Sequence, residues 1–272
     1  MISKGAITHR ANDEKLPAQT IERDYVLSQL CADIGASGDR RLVLKGGTLL
    51  RLCYFDPYRY SADLDFSAID GLSRAAATAA VAAAARDCKE RLELPALDVS
   101  RDGRATAWVT YVGPLMSRPR GIKLDISDTE LVTAHTRLNL QPRWPDLIEG
   151  AGIDGYALNE VAAEKLRCLA ERLQCRDLYD LHELLGSGQV DALEAWELYL
   201  RKAANDLVRD RQRTDPREWA SIFNRRLIAY RGRWQRELGD YLALGAPPFE
   251  EIERRTRRGL APALVAARAL AS

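Results

Sequence analysis

Between Thr20 and Ile34 the apolar side chains fall at Ile21, Tyr25, Leu27, Leu30 and Ile34, the spacing of an amphipathic helix, with Thr20 as its candidate N-cap. The first fifteen or so residues are polar and end near Pro17, which predicts an arm that orders only on contact with something. Arg41 to Leu44 predicts a short strand, Gly46-Gly47 a turn, and Thr48 to about Phe55 a helix. Ala62 to Ile69 alternates as a strand does, and Ser73 to Leu92 is an alanine-rich helix. Ala105 to Val112 and Gly121 to Ser127 predict two more strands, separated by a loop containing Gly113, Pro114 and Pro119. Beyond Pro145 the pattern changes to strong helix formers, with apolar residues at three-and-four spacing from Asn159 through Leu185 and further helices to the end. The predicted organisation is an α+β domain over residues 1–150 and a helical domain over residues 151–272, with neither an internal repeat nor a long linker.

Composition narrows the class. With 46% hydrophobic residues over 272 positions the chain can bury two cores, and its net charge of +1 excludes a generic polyanion binder. The charge is uneven: Arg201 to Ser272 holds sixteen Lys and Arg against nine Asp and Glu, about +7, which leaves about −6 for the first two hundred residues. A nucleic-acid partner is therefore expected at the C-terminal part. The five cysteines are scattered without a CxxC pair, which suggests neither a disulfide framework nor a zinc site. No segment has signal-peptide or membrane-spanning character, so the expected location is the cytoplasm, away from membranes.

The chemistry concentrates in an ordered series: strand, Gly46-Gly47, helix, Asp63-Leu64-Asp65 on a second strand, and Lys123-Leu124-Asp125 on a third. Paired glycines at a helix start let backbone amides approach a phosphate. Residues two apart on a strand share a face, so Asp63 and Asp65 project together. If Asp125 lies on a neighbouring strand, three carboxylates converge, and mutual repulsion then calls for hard divalent cations such as magnesium. Such a set suits phosphoryl or nucleotidyl transfer. Either the glycine pair or the DxD alone is more often an ordinary turn or a solvated strand edge; the combination in this order carries the inference.

Several segments also resemble one family: Glu22-Arg23-Asp24-Tyr25, Lys45-Gly46-Gly47-Thr48, Arg59 to Phe66, Lys123 to Ile126, Glu164-Lys165-Leu166, and Arg176-Asp177-Leu178-Tyr179-Asp180-Leu181. This ordered set, spanning about Glu22 to Leu185, is similar to the AbiEii nucleotidyltransferase toxins of abortive-infection (phage-defence) and toxin–antitoxin systems, among them the mycobacterial MenT toxins. The resemblance implies a polymerase-β-like nucleotidyltransferase domain followed by a helical domain. It also implies an NTP substrate, Mg2+, a cognate antitoxin, and transfer of a nucleotide to RNA, with the 3′ end of tRNA as acceptor and translation as the target. Metal ligands would be Asp63, Asp65 and Asp125. Gly46, Gly47, Thr48, Ser61, Lys123, Arg172 and Asp177 would line the substrate. Lys165 would hold a phosphate of the nucleotide, and Asp180, preferred over Asp177, would orient it or take part in catalysis. The wider superfamily carries Gly-Ser where this chain has Gly46-Gly47, and Thr48 is the candidate to replace that hydroxyl.

Without the resemblance, Lys165 reads as a solvated helix lysine and the two aspartates as surface caps. Helical spacing places Lys165 and Arg172 on one face and Asp177 with Asp180 on another. His9, His135 and His182 lack partners at catalytic spacing. Cys168 and Cys175 read as core, with the stripe Leu166, Leu169, Leu173, Leu178, Leu181 and Leu185. The arginines at 209, 211, 213 and 217 and at 225, 226, 231, 233 and 236, interleaved with Trp219, Phe223, Tyr230 and Trp234, are either solvated faces or an RNA surface on which the aromatics stack. Two rival functions remain: transfer to a protein hydroxyl, against which the basic C-terminal part argues, and a non-catalytic nucleotide-binding module, against which the three aspartates argue.

Overall fold

The computed structural model describes residues 1–101, 107–116, 118–208, 214–243 and 245–271. The chain divides into two compact units. The first comprises Met1–Tyr156 together with a later segment, described over residues 241–243, in which the Tyr241 carbonyl accepts from the Tyr60 amide at 2.7 Å. Ala157–Asp240 and the residues from Gly245 onward make the second.

Seven strands, counted among the described residues, form the sheet of the first unit: β1 (Leu42–Lys45), β2 (Leu64–Ala68), β3 (Ala96–Arg101), β4 (Ala107–Val112), β5 (Arg120–Ser127), β6 (His135–Asn139) and β7 (Gly152–Tyr156). Their order is β3-β4-β5-β2-β1-β7-β6, parallel only at β2/β5 and β1/β7. Helices α2 (Ala18–Ala36) and α4 (Arg74–Leu92) pack against it, and α4 starts at Ser73, whose side chain accepts from the Ala76 amide. On β5 the buried positions Ile122, Leu124 and Ile126 alternate with exposed Gly121, Lys123 and Asp125, so the opposite face stays open there.

The sequence pattern misses β3, β6 and β7. β7 is buried at all five positions and so shows no alternation; pairing with β1 and β6 carries the first unit past residue 150, to Tyr156.

The N-terminal arm is also corrected. Residues Lys4–Glu14 form helix α1, capped by Ser3 and burying Ile7 and Ala11. Tyr60 donates to Glu14 Oε2 at 2.6 Å, and the Arg10 guanidinium lies 4.4 Å over the Trp144 ring. These partners lie far along the chain, which is why local polarity misleads. The N-cap of α2 is Pro17, and Thr20 is buried in its first turn.

The second unit contains α5 (Leu158–Glu171), α6 (Cys175–Gly186), α7 (Ala192–Val208), α8 (Trp219–Leu238), α9 (Phe249–Gly259) and α10 (Ala261–Ala271). Leu166, Leu169, Leu178 and Leu181 are buried with Cys168 and Cys175, whereas Leu173 and Leu185 are only half-buried. All five cysteines are free thiols. The aromatics offered as base-stacking groups are core instead: Trp219 stacks on Phe223 at 5.1 Å and donates to the Leu166 carbonyl at 2.7 Å, while Trp234 donates to the Pro247 carbonyl at 2.7 Å. Among the described residues no helix is long and apolar enough to cross a membrane.

Candidate active site

Cross-strand register does for Asp65 and Asp125 what the sequence could only make conditional. Lys45, Asp65 and Asp125 are direct Cα partners across β1, β2 and β5. Lys45 leads straight into α3 (Gly46–Leu49), a single α-turn continued by a π-helical turn, Leu50–Tyr54, where a regular helix is predicted.

The two glycines make room for side chains. Gly46 has φ +72°, and a Cβ there would come within 2.8 Å of Asp65 Oδ2; at Gly47 a Cβ would collide with the Arg59 guanidinium. Gly46→Ala is expected to cost about 1–2 kcal/mol in backbone strain and to push the Asp65 carboxylate from its seat. Melting temperature and transfer rate should fall together, and an unchanged rate would show that Gly46 does not set the position of Asp65.

Thr48 is buried, and its hydroxyl donates to the Asp63 carbonyl at 2.5 Å, which fixes the segment leading into β2. Ser61 is buried two residues before Asp63. Lys123 and Asp125 share the open face, with Nζ and Oδ2 3.6 Å apart.

Asp65 and Asp125 are aligned by strand register, while Asp63 lies just ahead of β2, and the three side chains do not gather at one point. Among the described residues no group of three His, Cys, Asp or Glu stands close enough to hold a metal ion. Asp125 leans towards Lys123, and Asp65 lies against Gly46. The donor set is nevertheless of the right kind for magnesium, all hard carboxylate oxygen, and the in-register pair brings two of the three donors onto adjacent strands.

Sequence reasoning missed a group next to this row. Lys45 forms an ion pair with Glu130, whose Oε2 also accepts from Ser67 Oγ at 2.9 Å, and Ser67 Oγ is 2.7 Å from the Tyr156 hydroxyl. Glu130 stands 85 positions beyond Lys45 and in no motif, so nothing local signals it. The Glu22-Arg23-Asp24-Tyr25 motif proves to be framework. Asp24 pairs with buried Arg51, Glu22 Oε1 accepts from the Leu115 amide at 2.7 Å, and Tyr25 donates to Asp146 at 2.7 Å.

In the second unit Lys165, Arg172, Asp177 and Asp180 form one cluster, not two faces. Lys165 is only 5% exposed, and its Nζ lies 2.9 Å from Asp177 and 2.7 Å from Asp180, both of them 0% exposed. Arg172 grips Asp177 with a two-pronged fork at 2.8 and 2.9 Å. The solvated-lysine reading therefore fails.

Burial alone would raise the pKa of Asp177, but Lys165 and Arg172 outweigh it and hold the group below the ordinary carboxylate range. A depressed pKa contributes stability that is full above the unfolded value, about 3.9, and is lost as pH falls through the folded value. The melting temperature is expected to drop as pH falls below about 4, and Asp177→Asn should flatten that drop. Equal slopes in the two proteins would assign the acid sensitivity to other carboxylates.

The C-terminal arginines are mostly engaged within the unit. Arg226 donates to the carbonyls of Leu169 and Arg172, and Arg231 lies 3.6 Å from both Glu250 and Glu253. Arg217 pairs with Asp215 at 2.6 Å. Arg209, Arg211 and Arg213 lie outside the described residues.

Comparison with known proteins bears on this arrangement. The family described as nucleotidyl transferase AbiEii toxin, type IV toxin–antitoxin system, matches residues 30–255, most of the chain. The chain is similar in structure to MenT4, a nucleotidyltransferase toxin of Mycobacterium tuberculosis H37Rv, with a TM-score of 0.68 at 20% identity, covering 100% of this chain and 94% of that one. At that identity the likeness is one of fold. A looser likeness, TM-score 0.42 at 16% identity over 75% of this chain and 92% of the other, is to an antigenic nucleotidyltransferase-like protein of Paracoccidioides brasiliensis. None of the curated proteins matches the sequence.

Proposed function

The chain belongs to the AbiEii family of nucleotidyl transferase toxins, and from that premise we propose that it moves a nucleoside monophosphate from an NTP to the 3′ end of an RNA, of the transfer RNA class, so blocking translation. The observation that carries this reading is the in-register row Lys45, Asp65, Asp125 beside the Gly46-Gly47 turn. It is the sequence order of the chemistry turned into one sheet face.

The acceptor hydroxyl oxygen bonds to the α-phosphorus, the bond from that phosphorus to the β-bridging oxygen breaks, and pyrophosphate leaves. Mg2+ held by Asp63, Asp65 and Asp125 would supply charge neutralisation at the reacting phosphate. The amides of Gly46 and Gly47 cradle the leaving phosphates. Asp125, exposed on the outer flank of the row, takes the hydroxyl proton. Lys165, held by Asp177 and Asp180, serves as a point charge for the nucleotide, with Asp180 as its orienting partner. Family membership supports a cognate antitoxin as protein partner, and cytoplasmic RNA as the place of action.

Incubation with each labelled NTP, magnesium, total RNA and total protein tests the reading. Label should enter RNA of transfer-RNA size, and only with magnesium present. Label confined to protein would overturn the RNA acceptor in favour of a protein hydroxyl, and no labelled polymer with any NTP would overturn transfer altogether.

A further inference from the structure

A base-stacking platform needs a broad aromatic face that solvent can reach. Of the five tryptophans in the chain, Trp144, Trp196, Trp219 and Trp234 are buried, whereas Trp108 keeps 36% of its surface exposed. The aromatics of the basic C-terminal part are thus withdrawn into a core, and the accessible one stands on the sheet of the first unit.

Trp108 is the second residue of β4, and register pairs it with Lys123 on β5. Asp125 is two residues further along β5 on the same face. With strands about 4.8 Å apart and a rise of about 3.4 Å per residue, Trp108 lies roughly 8 Å from Asp125, backbone to backbone. Gly121 lets the ring settle across β5, since a Cβ there would come within 3.0 Å of the ring carbon Cε3. Lys123, 46% exposed, sits between ring and carboxylate. Across the open face the order is therefore aromatic ring, lysine, Asp125, Asp65, then the glycine turn.

An in-line displacement puts the entering and leaving oxygens on opposite sides of phosphorus. With the leaving phosphates at Gly46-Gly47, on the β1 flank, the entering hydroxyl comes from the β5–β4 flank. We infer that Trp108 and Lys123 form an acceptor subsite, in which the indole stacks on an unpaired terminal base of the RNA and the lysine meets its backbone phosphate. The inference rests on the proposed transfer to RNA and assigns a place to its acceptor. An aromatic with an adjacent cation suits a nucleotide, which presents a flat base and an anion together.

All five tryptophans emit, but the four buried ones are shielded from a stacked base, so the part of the intrinsic fluorescence that bound RNA quenches is expected to be that of Trp108, identified by its loss in Trp108→Ala. Titration of the full chain with a short single-stranded RNA ending in a 3′ hydroxyl should quench it. Trp108→Ala should remove the quench and weaken RNA binding, read independently with labelled RNA, by roughly tenfold. Trp108→Phe should recover most of the affinity, with NTP binding unchanged in both variants. Asp65→Ala should keep the quench while losing transfer, which separates this subsite from the chemistry. RNA affinity unchanged in Trp108→Ala, or a quench produced by the NTP and not by RNA, would overturn the inference. In either case labelling of RNA by the wild-type chain would leave the proposed function standing.

Discussion

Replacing Asp65 by alanine is expected to lower nucleotidyl transfer by about a thousandfold or more, the scale of several kcal/mol of charge stabilisation at the reacting phosphate, while the fold survives. Asp65 is only half-buried, and its Cα partners on either side are Lys45 and Asp125. Removing one carboxylate from the row relieves repulsion with Asp125 and leaves the ladder hydrogen bonds of β2 in place. Transfer of label at saturating NTP, read beside a thermal melt, checks both halves. Transfer near the wild-type rate would sink the metal-ligand assignment; a collapsed melt would mean that Asp65 is structural. Asp63→Asn should lose activity as well, since its backbone is tied to Thr48 just before β2 begins.

Lys165→Ala should affect stability as strongly as activity. Removing the ammonium leaves buried Asp177 and Asp180 without the cation that lies 2.9 and 2.7 Å from them, and breaking a buried ion pair typically costs about 3–5 kcal/mol. Asp177 keeps the fork of Arg172, so most of the loss should come through Asp180. Denaturant unfolding measures the first effect, and transfer rate against NTP concentration the second. The double variant Lys165→Met with Asp180→Asn separates them, because it removes that pair of charges together and leaves Asp177 on the fork of Arg172. Recovered stability without recovered transfer would support a phosphate-binding Lys165. If transfer recovers too, the lysine is framework for α5 and α6. A single variant that unfolds like wild type would contradict the buried network itself.

What the sequence alone determined is the part of the protein written in short-range pattern. Two-residue periodicity placed Leu64-Asp65 and Lys123-Leu124-Asp125 on strands, with Asp63 falling just ahead of β2, three-and-four spacing placed α2 and α5, and Ser73 marked the start of α4. Because side-chain direction follows from local backbone geometry, the order of glycine turn, DxD and third aspartate could be read without coordinates. Tertiary structure decided what depends on contacts between distant segments. Register between β2 and β5 put Asp65 beside Asp125, and Glu130 reached Lys45 across 85 positions. The polar first helix found its partners in Tyr60 and Trp144, and α6 folded against α5 to bury Lys165 between two aspartates. It also reversed the roles of the aromatics: Trp219, Phe223, Tyr230 and Trp234, interleaved with arginines, are buried, while Trp108, on a strand the pattern predicted but gave no role, faces solvent. Burial depends on which surfaces meet, and a single segment does not specify the surface that will cover it.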